Sequence, residues 1–121
     1  MSGAGSSGAK GAHGFRHWWA QRISAIALIP LSIWFAASVI AHAGADRAAI
    51  KAWLAAPVPA VLMILAILAG LYHAVLGLEE VIVDYVHGTG ARLSGLVLVR
   101  LAGIALAAAA VFAVLRIAFV A

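Results

Sequence analysis

Three long apolar runs dominate this sequence and restrict the folds that it can adopt. They cover about residues 23–43, 59–83 and 93–120. A helix needs about 20 mostly apolar residues to cross the roughly 30 Å hydrocarbon layer of a bilayer, and each run is long enough. A soluble fold of 121 residues could not hide a composition that is 66% hydrophobic and 10% charged, because small folds leave much of their surface in water. The sequence therefore predicts an all-α integral membrane protein with three transmembrane helices, arranged up-down-up.

Prolines and glycines mark where the predicted helices bend, begin and end. Pro30 lies inside the first run, where we expect it to kink the helix while neighbouring helices satisfy the freed carbonyl. Pro57 and Pro59 precede the second run, at the start of a helix where a missing N–H costs nothing. Gly88 and Gly90 end the second helix and turn the chain toward the third. The connections between the three helices are therefore short.

The N-terminal segment has a different composition from the rest of the chain. Residues 1–15 are rich in Gly, Ser and Ala and are predicted to form a flexible polar tail ahead of a membrane domain that covers residues 16–121. No short apolar region with a cleavage site follows a basic start, so the tail is not a good signal peptide. It also lacks the strongly amphipathic character of an organellar leader, which favours a bacterial inner (cytoplasmic) membrane.

Charge and cysteine content exclude several classes of function. The net charge is +4, but the basic residues stand singly between apolar runs, so no nucleic-acid partner is expected. The chain has no cysteine. This excludes thiolate metal sites, iron–sulfur clusters held by this chain and a covalently attached c-type haem.

The distribution of basic residues predicts the orientation of the chain in the membrane. Cytoplasmic loops carry an excess of Lys and Arg, and here the N-terminal side has five against three if Arg100 snorkels that way. The N-terminus is therefore expected in the cytoplasm. The N-terminal set is Lys10, Arg16, Arg22, Arg92 and Arg100, and the opposite set is Arg47, Lys51 and Arg116.

Polar residues at membrane depth concentrate in the second predicted helix, where each must face protein, cofactor or water. At 100° per residue, one side of this helix carries a stripe composed of Gly70, His73, Gly77, Glu80 and Asp84. A histidine flanked by glycines leaves room for a flat group against the backbone, and a haem with the imidazole as axial ligand fits that description. The alternatives remain that His73 bonds a neighbouring helix and that the glycines form a packing face.

The cytoplasmic end of the second helix carries a second candidate site. Asp84 and Tyr85 lie about 16 Å along the helix from His73. A phenol at this boundary can hydrogen-bond a quinone carbonyl, and a neighbouring carboxylate can orient groups or relay protons. Tyr85 is otherwise an interfacial belt tyrosine. Arg22, at the start of the first helix on the same side, either anchors to lipid headgroups or pairs with a haem propionate.

Two further expectations concern partners of the polar residues. Arg100 lies inside the third helix and needs a partner, for which Asp84 and Glu80 are the candidates. A six-coordinate haem needs a second axial ligand, yet no other histidine shares the depth of His73. A second histidine ligand must then come from another chain. The remaining histidines, in tails or at membrane edges, are His13, His17, His42 and His87.

The second-helix residues resemble a family motif. The stretch from His73 to Tyr85 reads HAVLGLEEVIVDY and is similar to the H-x-x-x-G-x-x-x-[VI]-[LI]-x-D-Y segment of the hydrophobic membrane anchor subunit of succinate dehydrogenase, the D subunit. The stretch from Gln21 to Leu31, QRISAIALIPL, resembles the start of that subunit's first helix, where R-x-[ST]-A is typical. The resemblance covers the chain from about Arg16 to its end.

The resemblance implies a role in respiratory complex II, a succinate:quinone oxidoreductase. The family's D subunit pairs with a second anchor, the C subunit, shares one haem b with it, and borders a quinone-reduction site that faces the iron–sulfur and flavoprotein subunits. By motif position, His73 would be an axial ligand of the haem iron, Tyr85 the quinone-contacting residue, Asp84 its neighbouring carboxylate and Arg22 a residue near the haem propionates. Ubiquinone is the default substrate, and the chain alone would not be catalytic.

The sequence leaves open the role of two acidic residues and two alternative functions. Glu79 and Glu80 make this helix more acidic than the family pattern, which leaves their role open. The main alternative is a non-redox structural or assembly protein whose His73 stripe is only a helix-packing face. A small transporter is a third, although three spans make few complete pathways.

Overall fold

Four helices account for most of the chain in the computed structural model, which describes residues 2–120, with side chains from residue 14. They are α1 (Ser2–Ala41), α2 (Arg47–Ala55), α3 (Pro57–Tyr85) and α4 (Thr89–Phe119), and the described residues contain no strand. Three segments are long and apolar enough to cross a bilayer: Gly14–Ala41, Pro57–Tyr85 and Thr89–Phe119. The prediction of an all-α protein with three spans is confirmed.

The helices extend further than the apolar runs. α3 continues through Asp84, and α4 includes Arg92, because backbone hydrogen bonding does not stop where apolar side chains stop. The backbone of α1 is helical from Ser2, so residues 2–13 precede the first span as helix. The predicted flexibility of the tail concerns motion and stays a prediction. Met1, Ala121 and the side chains of Lys10 and His13 lie outside the described part of the chain.

The connection between the first two spans is itself folded. After α1 the chain turns at Gly44, whose φ of 81° lies in the left-handed region that favours glycine. Asp46 then caps α2, its side chain accepting a 2.8 Å hydrogen bond from the Ala49 amide. The Trp53 ring stacks on Trp34 of α1, with 5.9 Å between ring centroids. This short helix was not predicted from the sequence, although an aspartate before a helical stretch is a start signal.

α3 is the central helix of the bundle. It packs along α1 on one side and along α4 on the other, and no close α1–α4 packing occurs in the described residues. A Cβ built on Gly103 of α4 would lie only 2.5 Å from Val75 Cγ2, and one on Gly95 would lie 3.4 Å from Ile82 Cδ1. Glycine at these positions therefore allows α4 to approach α3 closely, as expected for a packing surface.

Few of the side chains of residues 14–120 are buried within this chain. Leu54, Ala60 and Val114 form an apolar cluster where α2, α3 and α4 meet, and the buried polar residues are Ser24 and Glu79. Most large apolar side chains of the spans are exposed. That distribution suits a protein whose outer solvent is lipid.

Candidate functional site: polar residues on the central helix

His73 is joined to α1 by a hydrogen bond between two of the candidate membrane spans. Its Nδ1 lies 2.9 Å from Oγ of Ser24, and Ser24 is only 5% exposed. The Ser24 hydroxyl also donates to the backbone oxygen of Gln21, 2.9 Å away. The helix-to-helix contact that the sequence left as an alternative for His73 is therefore present, and it uses one of the two ring nitrogens.

The other ring nitrogen and the neighbouring glycines decide whether His73 could also hold a cofactor. Nε2 of the half-buried ring has no hydrogen-bond partner among the described residues. A Cβ built on Gly77 would meet nothing within 4 Å, whereas one on Gly70 would contact Leu28 of α1 at 3.9 Å. The open space predicted beside the histidine thus exists on the Gly77 side only.

These residues fit a haem better than a bare metal ion. No group of three or more His, Asp or Glu side chains in the described part of the chain could hold an ion by itself. In a haem, the porphyrin supplies four nitrogen ligands to the iron, so the protein supplies only the axial ligands. One imidazole with a free nitrogen and open space beside it can supply one of them.

A second polar cluster lies nearer the C-terminal end of α3. Glu79, 7% exposed, accepts hydrogen bonds from Arg100 of α4 at Nε (2.8 Å) and at Nη2 (3.4 Å). His17 of α1 lies 4.0 Å from the same carboxylate and 3.5 Å from that of Glu80. The cluster therefore links all three spans, which the sequence did not predict.

The predicted partners of Arg100 were wrong. Glu79 holds it, rather than Glu80 or Asp84. Neighbouring residues on a helix point about 100° apart, and α4 packs on the side of α3 that carries Val75, Glu79 and Ile82. Glu80 points instead toward α1 and His17, in keeping with its place on the His73 stripe.

Asp84 and Tyr85 end α3, as the sequence predicted. Both side chains are exposed, Tyr85 to 75%, and neither has a hydrogen bond or ion pair within residues 14–120. Their separation from His73 along the helix axis is about 16–18 Å. The structure therefore does not bring them together with His73.

Arg22 lies deeper in the bundle than the sequence suggested. The contacts of Ser24 with His73 and of His17 with Glu80 fix the antiparallel register of α1 and α3. Arg22 is consequently level with Val75 rather than with Asp84. Its guanidinium carbon lies 5.3 Å from the centre of the Trp18 ring, a cation–π contact.

One groove lies elsewhere on the bundle, between α1 and α4 over the face of α3. Its volume is about 550 Å³, and its polar end is formed by Arg16, His17, Glu79 and Arg100. A second groove of about 650 Å³, between α1 and α3, includes Ser24 and Tyr72. Neither groove is lined by His73, Asp84 or Tyr85, so sequence reasoning did not find these surfaces.

Comparison with known proteins assigns the chain to a family. The family model described as "Succinate dehydrogenase/Fumarate reductase transmembrane subunit" matches residues 6–117. The protein named "Succinate dehydrogenase hydrophobic membrane anchor subunit" of Rickettsia bellii (strain RML369-C) is 34% identical over 88 residues, which is 73% of this chain and 70% of that protein. The protein of the same name from Paracoccus denitrificans is 33% identical over 103 residues, 85% of this chain and 79% of that protein.

A third relative with that name, from Rickettsia felis (strain ATCC VR-1525 / URRWXCal2), is 35% identical over 88 residues and covers 73% of each chain. No solved structure gives a significant match. The matched region includes the first two spans, the third span up to residue 117 and the polar residues described above. The resemblance predicted from the His73–Tyr85 motif is confirmed, and the chain belongs to the succinate dehydrogenase/fumarate reductase transmembrane subunit family, among its hydrophobic membrane anchors.

Proposed function

We propose that this membrane anchor binds haem b through His73 and contributes Tyr85 and Asp84 to a quinone-reduction site. Electrons from succinate would then pass to quinone in the membrane. The observation that carries the haem assignment is the state of the His73 ring: half-buried within a span, held at Nδ1 by Ser24 and without a partner at Nε2 among the described residues. A bound haem b would supply a one-electron acceptor at membrane depth.

The residues around His73 would hold and shield the cofactor. Ser24 fixes the ring against α1, and Gly77 leaves the adjoining backbone uncovered. Arg22, level with Val75, is close enough in depth to His73 to pair with a propionate if its side chain leaves Trp18. The second axial ligand would come from a partner chain, since none of the other histidines described here lies at the level of His73.

Tyr85 and Asp84 would act at the membrane boundary. The exposed Tyr85 hydroxyl can donate a hydrogen bond to a quinone carbonyl and so orient the ring at the end of α3. Reduction to quinol takes up two protons along with two electrons. Asp84 borders the aqueous side and can accept protons from water and pass them on.

The family supports a set of partners, and the excess of basic residues on the N-terminal side supports an orientation. We propose association with a second haem-binding anchor (the C subunit), an iron–sulfur subunit and a flavoprotein subunit. Ubiquinone is the proposed substrate. The N-terminus would lie in the cytoplasm of a bacterium, which puts Tyr85 on the side where soluble subunits dock. Alone, the chain would anchor and position without catalysing the succinate reaction.

A difference spectrum of the purified complex, dithionite-reduced against oxidised, tests the haem assignment. We expect a haem b band in the unmodified complex and its loss on His73→Ala. His42→Ala is the matched control, because His42 contacts Trp53 and its own helix near the opposite end of α1. A haem b band that survives His73→Ala in an assembled complex would contradict the assignment of His73 as a haem ligand.

Activity measurements test the quinone role separately. Tyr85→Phe should lower succinate-driven quinone reduction while leaving reduction of a water-soluble dye by the catalytic subunits intact, because only the quinone hydrogen bond is removed. Tyr72→Phe, on an exposed tyrosine of the same helix, serves as control. Equal quinone reduction by wild type and Tyr85→Phe would contradict the assignment.

A structural or assembly role is the second candidate, and one contact favours it. The Ser24–His73 hydrogen bond already gives the histidine a helix-packing function without any cofactor. A complex that assembles with its partners and is colourless would support this candidate over the redox one.

A further inference from the structure

Ser24 has two hydrogen-bond neighbours, and their chemistry restricts where its single proton can lie. The Gln21 carbonyl oxygen, 2.9 Å away, can only accept. The His73 Nδ1, also 2.9 Å away, can donate or accept, depending on which ring nitrogen is protonated. Both contacts are satisfied together when the hydroxyl donates to Gln21 and its oxygen accepts from an Nδ1–H group.

From this arrangement we infer that Ser24 is a positioning residue that holds His73 as the Nδ1–H tautomer, with the Nε2 lone pair turned to the haem iron. The inference rests on the proposed haem site. It adds to that site a residue on a different helix, which determines the protonation and orientation of the ligand without touching the cofactor.

Burial of Ser24 makes the contact selective. The residue is 5% exposed, and its helix partner Gln21 supplies the acceptor from the preceding turn of α1. Water therefore does not compete for the hydroxyl, and rotation of the O–H away from the carbonyl would lose a hydrogen bond in a low-dielectric interior. The Gln21 carbonyl, which belongs to the same helix, therefore fixes the orientation of the Ser24 O–H bond independently of His73.

The expected electronic effect has a definite sign. A hydrogen bond from the distal ring nitrogen to an acceptor raises the basicity of the coordinating nitrogen. A more basic ligand stabilises ferric over ferrous iron. Removing the Ser24 acceptor should therefore raise the haem midpoint potential and weaken haem binding, by roughly 10- to 100-fold in affinity if the contact is typical of such partners.

Redox titration and haem content of the purified complex test the inference. Ser24→Ala should shift the midpoint potential upward and lower haem retention, and Ser24→Thr, which keeps a hydroxyl, should restore both. Ser32→Ala is the matched control: it removes an exposed hydroxyl from the same helix and should leave both quantities unchanged. Co-purification of the catalytic subunits with the membrane anchor reports that each complex is assembled.

Ser24→Cys is the second variant if Ser24→Ala fails to assemble. It nearly keeps the volume but offers only a weak sulfur acceptor, so the potential should move in the same direction. An assembled Ser24→Ala or Ser24→Cys complex with wild-type potential and haem content overturns the positioning role. The positioning role is also overturned if Ser24→Thr shifts the haem midpoint potential as far as Ser24→Ala does. His73→Ala separates this outcome from failure of the proposed function: haem retained in that variant overturns the ligand assignment itself.

Discussion

The two halves of α3 are held to their neighbours by different forces. Near Pro57, contacts are apolar, between Ala60, Leu54 of α2 and Val114 of α4. Toward Tyr85, polar contacts are added to the apolar packing, with His73 bonded to α1 and Glu79 to α4. In lipid, apolar contacts alone give little preference for one neighbour over another, because the acyl chains are equally apolar. The comparison indicates that the polar half specifies the register of the bundle, while the apolar half fills space.

The largest effect is expected from the carboxylate that faces α4. Glu79→Gln removes the only countercharge found for Arg100 among residues 14–120, and a lone arginine at membrane depth costs about 2–3 kcal/mol. SDS-induced unfolding of the detergent-solubilised complex measures the loss. Glu80→Gln is the matched control and should cost far less, since Glu80 is exposed and its ion-pair partner within residues 14–120 is His17 alone.

The double variant sharpens this test. Glu79→Gln with Arg100→Gln removes both charges and should recover part of the stability that Glu79→Gln alone loses. Strictly additive losses would show that the two residues do not act as a pair.

A smaller loss is expected where α4 touches α3 most closely. Gly103→Ala places a Cβ 2.5 Å from Val75 Cγ2, so the helices must shift. Overpacking of this kind typically costs about 1–2 kcal/mol. Gly90→Ala on the same helix has nothing within 4 Å of its added Cβ and is the control. Equal stability of the two variants in SDS unfolding would contradict the close approach.

The apolar half should respond less strongly. Leu54→Ala empties part of the cluster with Ala60 and Val114, and we expect a loss of about 1 kcal/mol, below the range for soluble cores because lipid is an alternative apolar environment. Ile50→Ala, on an exposed residue of α2, is the control. A loss larger than that of Glu79→Gln would reverse the contrast between the halves.

The smallest effect concerns the N-cap of α2. Asp46→Ala removes the acceptor for the Ala49 amide and should cost about 1 kcal/mol or less of local helix stability. Faster trypsin cleavage after Arg47 or Lys51 in the intact complex would report fraying. Asp46→Asn keeps a capping oxygen and should behave like the wild type, so equally rapid cleavage of both variants would argue against the cap.

The Glu79–Glu80 pair shows how far the sequence could predict the site. Hydropathy located both residues in the second span, and the helical wheel gave their relative angle. The sequence could not show on which side of α3 the α4 helix packs. Arg100 was therefore expected to pair with Glu80 or Asp84, whereas it pairs with Glu79. Ser24 was missed for a similar reason: one serine in an apolar helix acquires a role only through the register of α1 against α3.

The N-terminal extension explains the misplaced depth of Arg22. Hydropathy defines a span by its apolar residues, so the predicted first helix began next to Arg22. Helical hydrogen bonds continue back through the polar residues before it, so Arg22 lies inside α1, and the contacts between α1 and α3 place it level with Val75. The α2 helix was overlooked because its nine residues are too few to stand out in a pattern of long apolar runs.

The sequence by itself determined the three membrane crossings, the family and the concentration of polar residues on the second span. These follow from the cost of placing polar groups in hydrocarbon, which acts on each segment independently of its neighbours. Only the tertiary structure decided that Ser24 holds His73 and that Glu79 rather than Glu80 meets Arg100. Such pairings depend on the relative rotation and register of packed helices, which arise from contacts between distant parts of the chain.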